Sequence, residues 1–303
     1  MTETVTDATT TTTTTGAASA IRRVGVVGSG IMGSGVAELC ARAGLDVVVQ
    51  VSSAGSLVTG PQRLTRSLDR GVAKGKLTEQ EREATLGRVS FTRDLDELAD
   101  RQLVIEAVKE DERLKLELFA TLDKIVTDPD AILASNTSSL SIVRLAGATD
   151  RPGHVLGLHF FNPAQVLPLV EVVDSVLTEP RVSDRALAFV RDVLGKKPIK
   201  SPDRAGFVVN ALLFPYLLSA VRMLDSGLAT AEVIDDGMVH GCSHPMGPLR
   251  LADLIGLDTT VSIAQAMYEE FKEPLYAPPP LLLRMVDGGL LGKKSGRGFY
   301  AYG

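Results

Sequence analysis

The sequence predicts an α/β protein: a Rossmann-like, doubly wound, mostly parallel sheet followed by an all-α C-terminal domain. Three observations carry this. Short β-branched runs alternate with helix-length segments over roughly the first two thirds of the chain, the pattern of parallel strands joined by crossover helices. A glycine turn, GSGIMG at 28–33, separates the first such run from the first helix. After Pro202 the strand signals fade and apolar residues recur at helical spacing. We therefore divide the chain into a disordered tail (1–20), a dinucleotide-binding domain (21–202) and a helical domain (203–303), with the junction near 201–206.

RVGVV (23–27) is a buried strand that runs straight into glycines. IMGSGVAELCARAG (31–44) has helical spacing and stops at Gly44, and DVVVQV (46–51) is the next strand. Together they form a βαβ unit with a parallel pair. LVIEAV (103–108) reads as a strand, 112–126 as an amphipathic helix and AILASN (131–136) as a strand. HVLGLHFF (154–161) and LPLVEVV (167–173) follow as strands, then a helix near 183–194. FVVNALLFPYLLSAVRML (207–224) is a helix too apolar all round for a lone surface position. It is expected to be buried or packed on a partner subunit.

Composition narrows the function. The chain has 303 residues, 45% of them hydrophobic, and a net charge of −5. That allows a full core and argues against nucleic acid as a partner. Two cysteines, Cys40 and Cys242, form neither a disulfide framework nor zinc spacing, so no metal is expected and a reducing cytoplasm fits. The threonine run Thr9–Thr15 lacks an apolar core and is not a secretory signal. No apolar stretch reaches membrane-spanning length.

The turn fits G-x-G-x-x-G, a weak pattern alone. Here it follows a strand and opens a helix, the context that marks a dinucleotide site. Gly28 permits the tight turn, Gly30 lets a pyrophosphate approach, and Gly33 lets helix and strand pack. Around Ser29, Ile31 and Met32, free N–H groups face the phosphates. An acid that holds the ribose hydroxyls of NAD should lie about twenty residues on. There is none from Val47 to Leu68; the strand ends QVSSAGS, with Val51 in the expected place. Ser52, Ser53 or Arg63 could hold the extra phosphate of NADP. No arginine follows the strand at once, so NAD is favoured and NADP stays open. Pro61 suggests that the next helix begins there, at its first position.

His159 and Glu171 stand in segments that read as buried strands. A lone histidine in such a place is most simply a satisfied core residue. The combination of the glycine turn with SNTSSLSI (135–142), GLHFFNP (157–163) and FVVNALLFPY (207–216) changes that reading. SHPMGPLRLADLIGLD (243–258) and LGKKSGRGFYAY (291–302) extend it. From about residue 21 to its end the sequence resembles the L-3-hydroxyacyl-CoA dehydrogenase family, most of all its short bacterial 3-hydroxybutyryl-CoA members.

The resemblance implies an NAD(P)-dependent oxidoreductase that interconverts (S)-3-hydroxyacyl-CoA and 3-oxoacyl-CoA, and a homodimer formed through the helical domain. It implies His159 as general base, with Glu171 as its partner. Histidine suits the task because its ordinary pKa of about 6.5 lies near working pH. Ser138 would bond the substrate oxygen and also face the cofactor; read from the residues alone, its Ser/Thr cluster equally suits a helix N-cap. Asn210 would donate to the oxyanion or the thioester carbonyl. Glu110, Lys115 and Asn162 would contact the nicotinamide half, and Lys294 would reach the cofactor. Ser67 and Lys74 would contact coenzyme A, although both lysines could be plain surface charge. Two alternatives stand beside this one: the same chemistry on a carrier-protein-bound acyl group, and a non-catalytic, crystallin-like or sensor role.

Overall fold

The computed structural model describes residues 20–303, so all but Ala20 of the expected tail lies outside the described residues. The first unit is β1 (Arg23–Val27), α1 (Ile31–Arg42) and β2 (Asp46–Gln50). Then come α2 (Ala54–Ala73), α3 (Glu79–Leu86), β3 (Val89–Thr92) and β4 (Leu103–Glu106). After α4 (Glu112–Ile125) follow β5 (Ile132–Ser135), α5 (Ile142–Ala146) and β6 (Val155–Phe160). The sheet is completed by β7 (Leu169–Asp174), α6 (Pro180–Ala188) and β8 (Lys197–Pro202). Its order is β3-β2-β1-β4-β5-β6-β7-β8.

Strands β1 to β6 pair in parallel. The order reverses between β1 and β4, and ligands of such sheets collect beyond the carboxyl ends of the strands at that point. Residues 161–168 are too few for a parallel crossover, so β7 returns antiparallel to β6. Alternate residues point to opposite faces. Val24, Val26, Val47 and Val49 pack on one side with α1, while Val48, Val104 and Leu133 pack on the other with Phe119 and Leu122 of α4.

Three expectations need correction. Helix α2 does not begin at Pro61. It begins at Ala54, because the Ser53 side chain accepts the Ser56 N–H at 3.1 Å and caps it earlier. Pro61 then lies inside the helix, where it has no N–H to offer the carbonyl of Leu57. The segment near 183–194 starts earlier, at Pro180, and changes to a π turn over Phe189–Val193. KPIKSP (197–202), not anticipated as a strand, forms the edge strand β8, where prolines and lysines are tolerated.

Residues 203–303 add α7 (Val209–Asp225), α8 (Ala231–Cys242), α9 (Pro248–Ile255), α10 (Leu257–Phe271) and α11 (Pro280–Asp287). Leu218, Val221, Leu249, Leu257 and Leu282 form their core. The buried Asp253 carboxylate accepts the N–H groups of Phe299 and Tyr300, each at 3.0 Å, and so straps the C-terminal segment to α9. Among the described residues no helix is long and apolar enough to cross a membrane.

Candidate active site

The glycine turn has the strained geometry that its sequence implies. Gly28 has φ +105°, and its N–H donates to the Gln50 carbonyl at 2.8 Å. A Cβ on Gly33 would lie 2.0 Å from the Gly28 carbonyl oxygen, so only glycine lets α1 start so close to β1. The first turn bond of α1 is Ser34 N–H to Gly30 O, at 2.9 Å. The N–H groups of Ile31, Met32 and Gly33 therefore precede the helical ladder. Gly30, Ile31 and Met32 line a cleft of about 650 Å³, together with Glu110, Ser138 and Thr259 of α10. A negatively charged dinucleotide fits such a wall. At the end of β2, Val51 is buried and Ser52 exposed, Ser53 is occupied as the α2 cap, and the Arg63 guanidinium bonds the Ser29 carbonyl.

The register of β6 against β7 sets His159 directly opposite Glu171. His159 Nδ1 lies 2.6 Å from Glu171 Oε2, and both residues are buried. The other oxygen, Oε1, accepts the N–H groups of Val208 and Val209 at 3.0 and 2.9 Å. A carboxylate with one oxygen on two amide donors keeps the other for the ring. Nδ1 then carries the proton, and Nε2 has a free lone pair 3.0 Å from Ser138 Oγ. Phe161 and Phe207 flank the ring at centroid distances of 4.7 and 5.3 Å. Phe207 has φ +48°. Glu171 thus ties the histidine to the start of α7, whose first turn carries the buried Asn210.

A second network, running from the exposed Glu110 to the buried Lys115 and Glu106, holds Ser138. Glu110 Oε1 accepts the hydroxyls of Thr137 and Ser139 and the Ser138 N–H. Its Oε2 meets Lys115 Nζ at 2.5 Å. Lys115, 1% exposed, also lies 3.2 Å from Glu106 Oε2. Burial pushes the Glu106 carboxyl pKa upward, against the pull of Lys115 and Ser135. The Glu110 carboxyl is lowered: burial raises it, but Lys115 and the hydroxyls outweigh that.

The other predicted residues are more dispersed. Asn162 is exposed just beyond β6. Lys294 pairs with Asp258 at 2.5 Å, and Asp258 lines the cleft. The Ser67 hydroxyl accepts from Gln165 Nε2 at 3.2 Å, and Lys74 ends α2, exposed. The Ser/Thr cluster does not cap α5 through its side chains. Asp203, at the domain junction, accepts the Ile142 and Val143 N–H groups at 2.8 and 2.7 Å instead. Glu106, Phe207 and the Val208–Val209 amides were not singled out from the sequence. A carboxylate inside the apolar run LVIEAV was the available signal for Glu106; the amides have none, since any residue supplies an N–H.

Residues 23–204 match the family described as 3-hydroxyacyl-CoA dehydrogenase, NAD binding domain, and residues 206–302 its C-terminal domain. A 3-hydroxybutyryl-CoA dehydrogenase of Mycobacterium tuberculosis is 60% identical over 283 residues, which is 93% of this chain and 99% of that protein. The crystal structure of M. tuberculosis FadB2 is similar with a TM-score of 0.93, at 60% identity, over 94% of this chain and 100% of that one. That of an (S)-3-hydroxybutyryl-CoA dehydrogenase from Ralstonia eutropha gives 0.89 at 43% identity, over 94% and 100%.

Proposed function

The chain belongs to the 3-hydroxyacyl-CoA dehydrogenase family, and from that premise we propose that it interconverts (S)-3-hydroxyacyl-CoA and 3-oxoacyl-CoA with a nicotinamide cofactor. Short chains such as 3-hydroxybutyryl-CoA come first, because the 60% identical relative bears that name. The observation that carries the mechanism is the pairing of His159 with Glu171, which leaves Nε2 beside Ser138 at the cleft. When bound, the nicotinamide supplies the hydride acceptor for C3 of the substrate. His159 Nε2 takes the proton of the C3 hydroxyl as the carbonyl forms, and returns it in the reverse direction. The Ser138 hydroxyl bonds that same oxygen and fixes it against the ring. Glu171 holds the tautomer and balances the imidazolium charge. Asn210 donates to the thioester carbonyl.

We read the cofactor as NAD. No arginine follows β2 at once, and the Arg63 guanidinium bonds the Ser29 carbonyl. Glu110 and Ser138 stand at the nicotinamide end; Lys115 and Lys294 act there through their carboxylate partners, Glu110 and Asp258. Acetoacetyl-CoA reduction should proceed with NADH at a higher kcat/KM than with NADPH. A tenfold preference for NADPH, in about the range one lost charge contact allows, would end the NAD reading; no turnover with either would end the enzymatic one.

Ser67 and Lys74 are proposed to hold coenzyme A, Lys74 by pairing with a phosphate. Lys74→Ala should raise KM for acetoacetyl-CoA several-fold and leave kcat in place. An unchanged KM transfers weight to a carrier-protein substrate. The helical domain leaves Leu212, Leu228 and Val233 exposed at 76%, 74% and 61%. Apolar surface of this kind is what a second copy covers, so sedimentation should give a dimer, and a monomer at micromolar concentration removes this reading. Cys40 and Cys242 are unpaired, in keeping with a reducing compartment.

A further inference from the structure

We propose that Glu106, a residue sealed beneath the cleft, gives the Glu106–Lys115–Glu110 cluster a net negative charge that favours the oxidised, cationic nicotinamide over the reduced, neutral one. The inference rests on the oxidoreductase reading and adds a determinant of which redox form is held.

The cluster contains two carboxylates and one ammonium. Lys115 Nζ lies between Glu106 Oε2 at 3.2 Å and Glu110 Oε2 at 2.5 Å, and it is 1% exposed. Every hydrogen bond made to Glu106 comes from a donor. The Ser135 hydroxyl reaches Oε2 at 2.6 Å and the Val108 N–H reaches Oε1 at 2.7 Å. The Ser135 oxygen itself accepts the Thr137 N–H, so its proton is free to point at Glu106. The Val108 N–H and the Lys115 ammonium can only donate, and with the Ser135 hydroxyl donating as well the set is that of a carboxylate. One ammonium against two carboxylates leaves one unit of negative charge uncompensated.

That charge is placed where the cofactor's own charge changes. Hydride transfer to or from an oxygen-bearing carbon held by Ser138 and His159 requires the nicotinamide to lie next to Ser138. Glu110 bonds the Ser138 N–H and, with Lys115, lines the same cleft. Of the other charges on that cleft, Asp258 is matched by Lys294, and Lys109 is exposed to solvent, which screens it more than the fully buried Glu106. Glu171 is also buried, but its charge is balanced whenever His159 carries the proton. The Glu106 charge persists through the reaction, so it acts on the cofactor's redox form alone.

The test is isothermal titration of the full chain with NAD+, NADH and ADP-ribose, which lacks the nicotinamide. In Glu106→Gln, NAD+ should bind about tenfold more weakly, the order expected for one charge at an effective dielectric near 20, while NADH and ADP-ribose keep their wild-type affinity. Glu110→Gln makes the same unit change at a partly exposed position. It should weaken NAD+ relative to NADH likewise, which keeps the idea testable if Glu106→Gln does not fold. If NAD+ and NADH weaken together, or ADP-ribose weakens as well, the cluster is only structural and the inference is wrong, with the oxidoreductase reading intact. If the wild type binds neither NAD+ nor NADH, both fail.

Discussion

Replacement of His159 by alanine is expected to lower kcat for acetoacetyl-CoA reduction by about 10² to 10⁴, the range seen when a general acid–base is removed. Among the described residues, the ring is the group set to exchange a proton with the substrate oxygen. Its Nε2 has a free lone pair once Nδ1–H is given to Glu171. Ser138, 3.0 Å away, can bond that oxygen but has no basicity of its own at neutral pH. NADH binding should be preserved, because the glycine turn lies on β1 and α1, away from β6. Steady-state kinetics beside NADH titration would check this. Turnover near the wild-type rate would remove His159 from its role.

Glu171→Gln should be as damaging, with a loss of about 10² to 10⁴ in kcat, for a reason that hydrogen-bond counting supplies. Oε1 receives two amide donors, from Val208 and Val209, which must keep an acceptor. A glutamine therefore turns its carbonyl toward α7 and its NH₂ toward His159. Nδ1 must then accept, the proton moves to Nε2, and the base is lost although the side chains still fit. Glu171→Asp keeps the charge but withdraws it by one methylene, and it should retain more activity than the isosteric amide. The comparison is decisive: if Gln outperforms Asp, the carboxylate acts through shape and not through the tautomer.

Much of the fold was legible because its signals are local. Valine-rich runs and helix-length amphipathic segments located β1, α1, β2, β4, α4, β5, β6 and β7 within a few residues. Lys197–Pro202 escaped because an edge strand needs little burial and tolerates proline and lysine, so its residues do not look like a strand. The start of α2 was misplaced because Pro61 is a loud signal and a serine cap a quiet one. The cap nevertheless decides where the helix begins, and the proline costs it one bond. Glu106 and Lys115 show the same limit at the site. Their types are visible in the sequence, but only burial reveals that they share one proton-rich contact.

The sequence by itself determined that a nucleotide-binding turn precedes a helix, that a histidine and a glutamate lie in two consecutive strand segments, and that the last third is helical. Each of these follows from residue type and short-range spacing. Tertiary structure alone decided that β7 runs antiparallel to β6 in the register that sets Glu171 against His159, and that the amides of α7 occupy the second carboxylate oxygen. The physical reason is that register and the sharing of hydrogen bonds are properties of pairs far apart in the chain. They are settled by which groups must be satisfied once water is excluded.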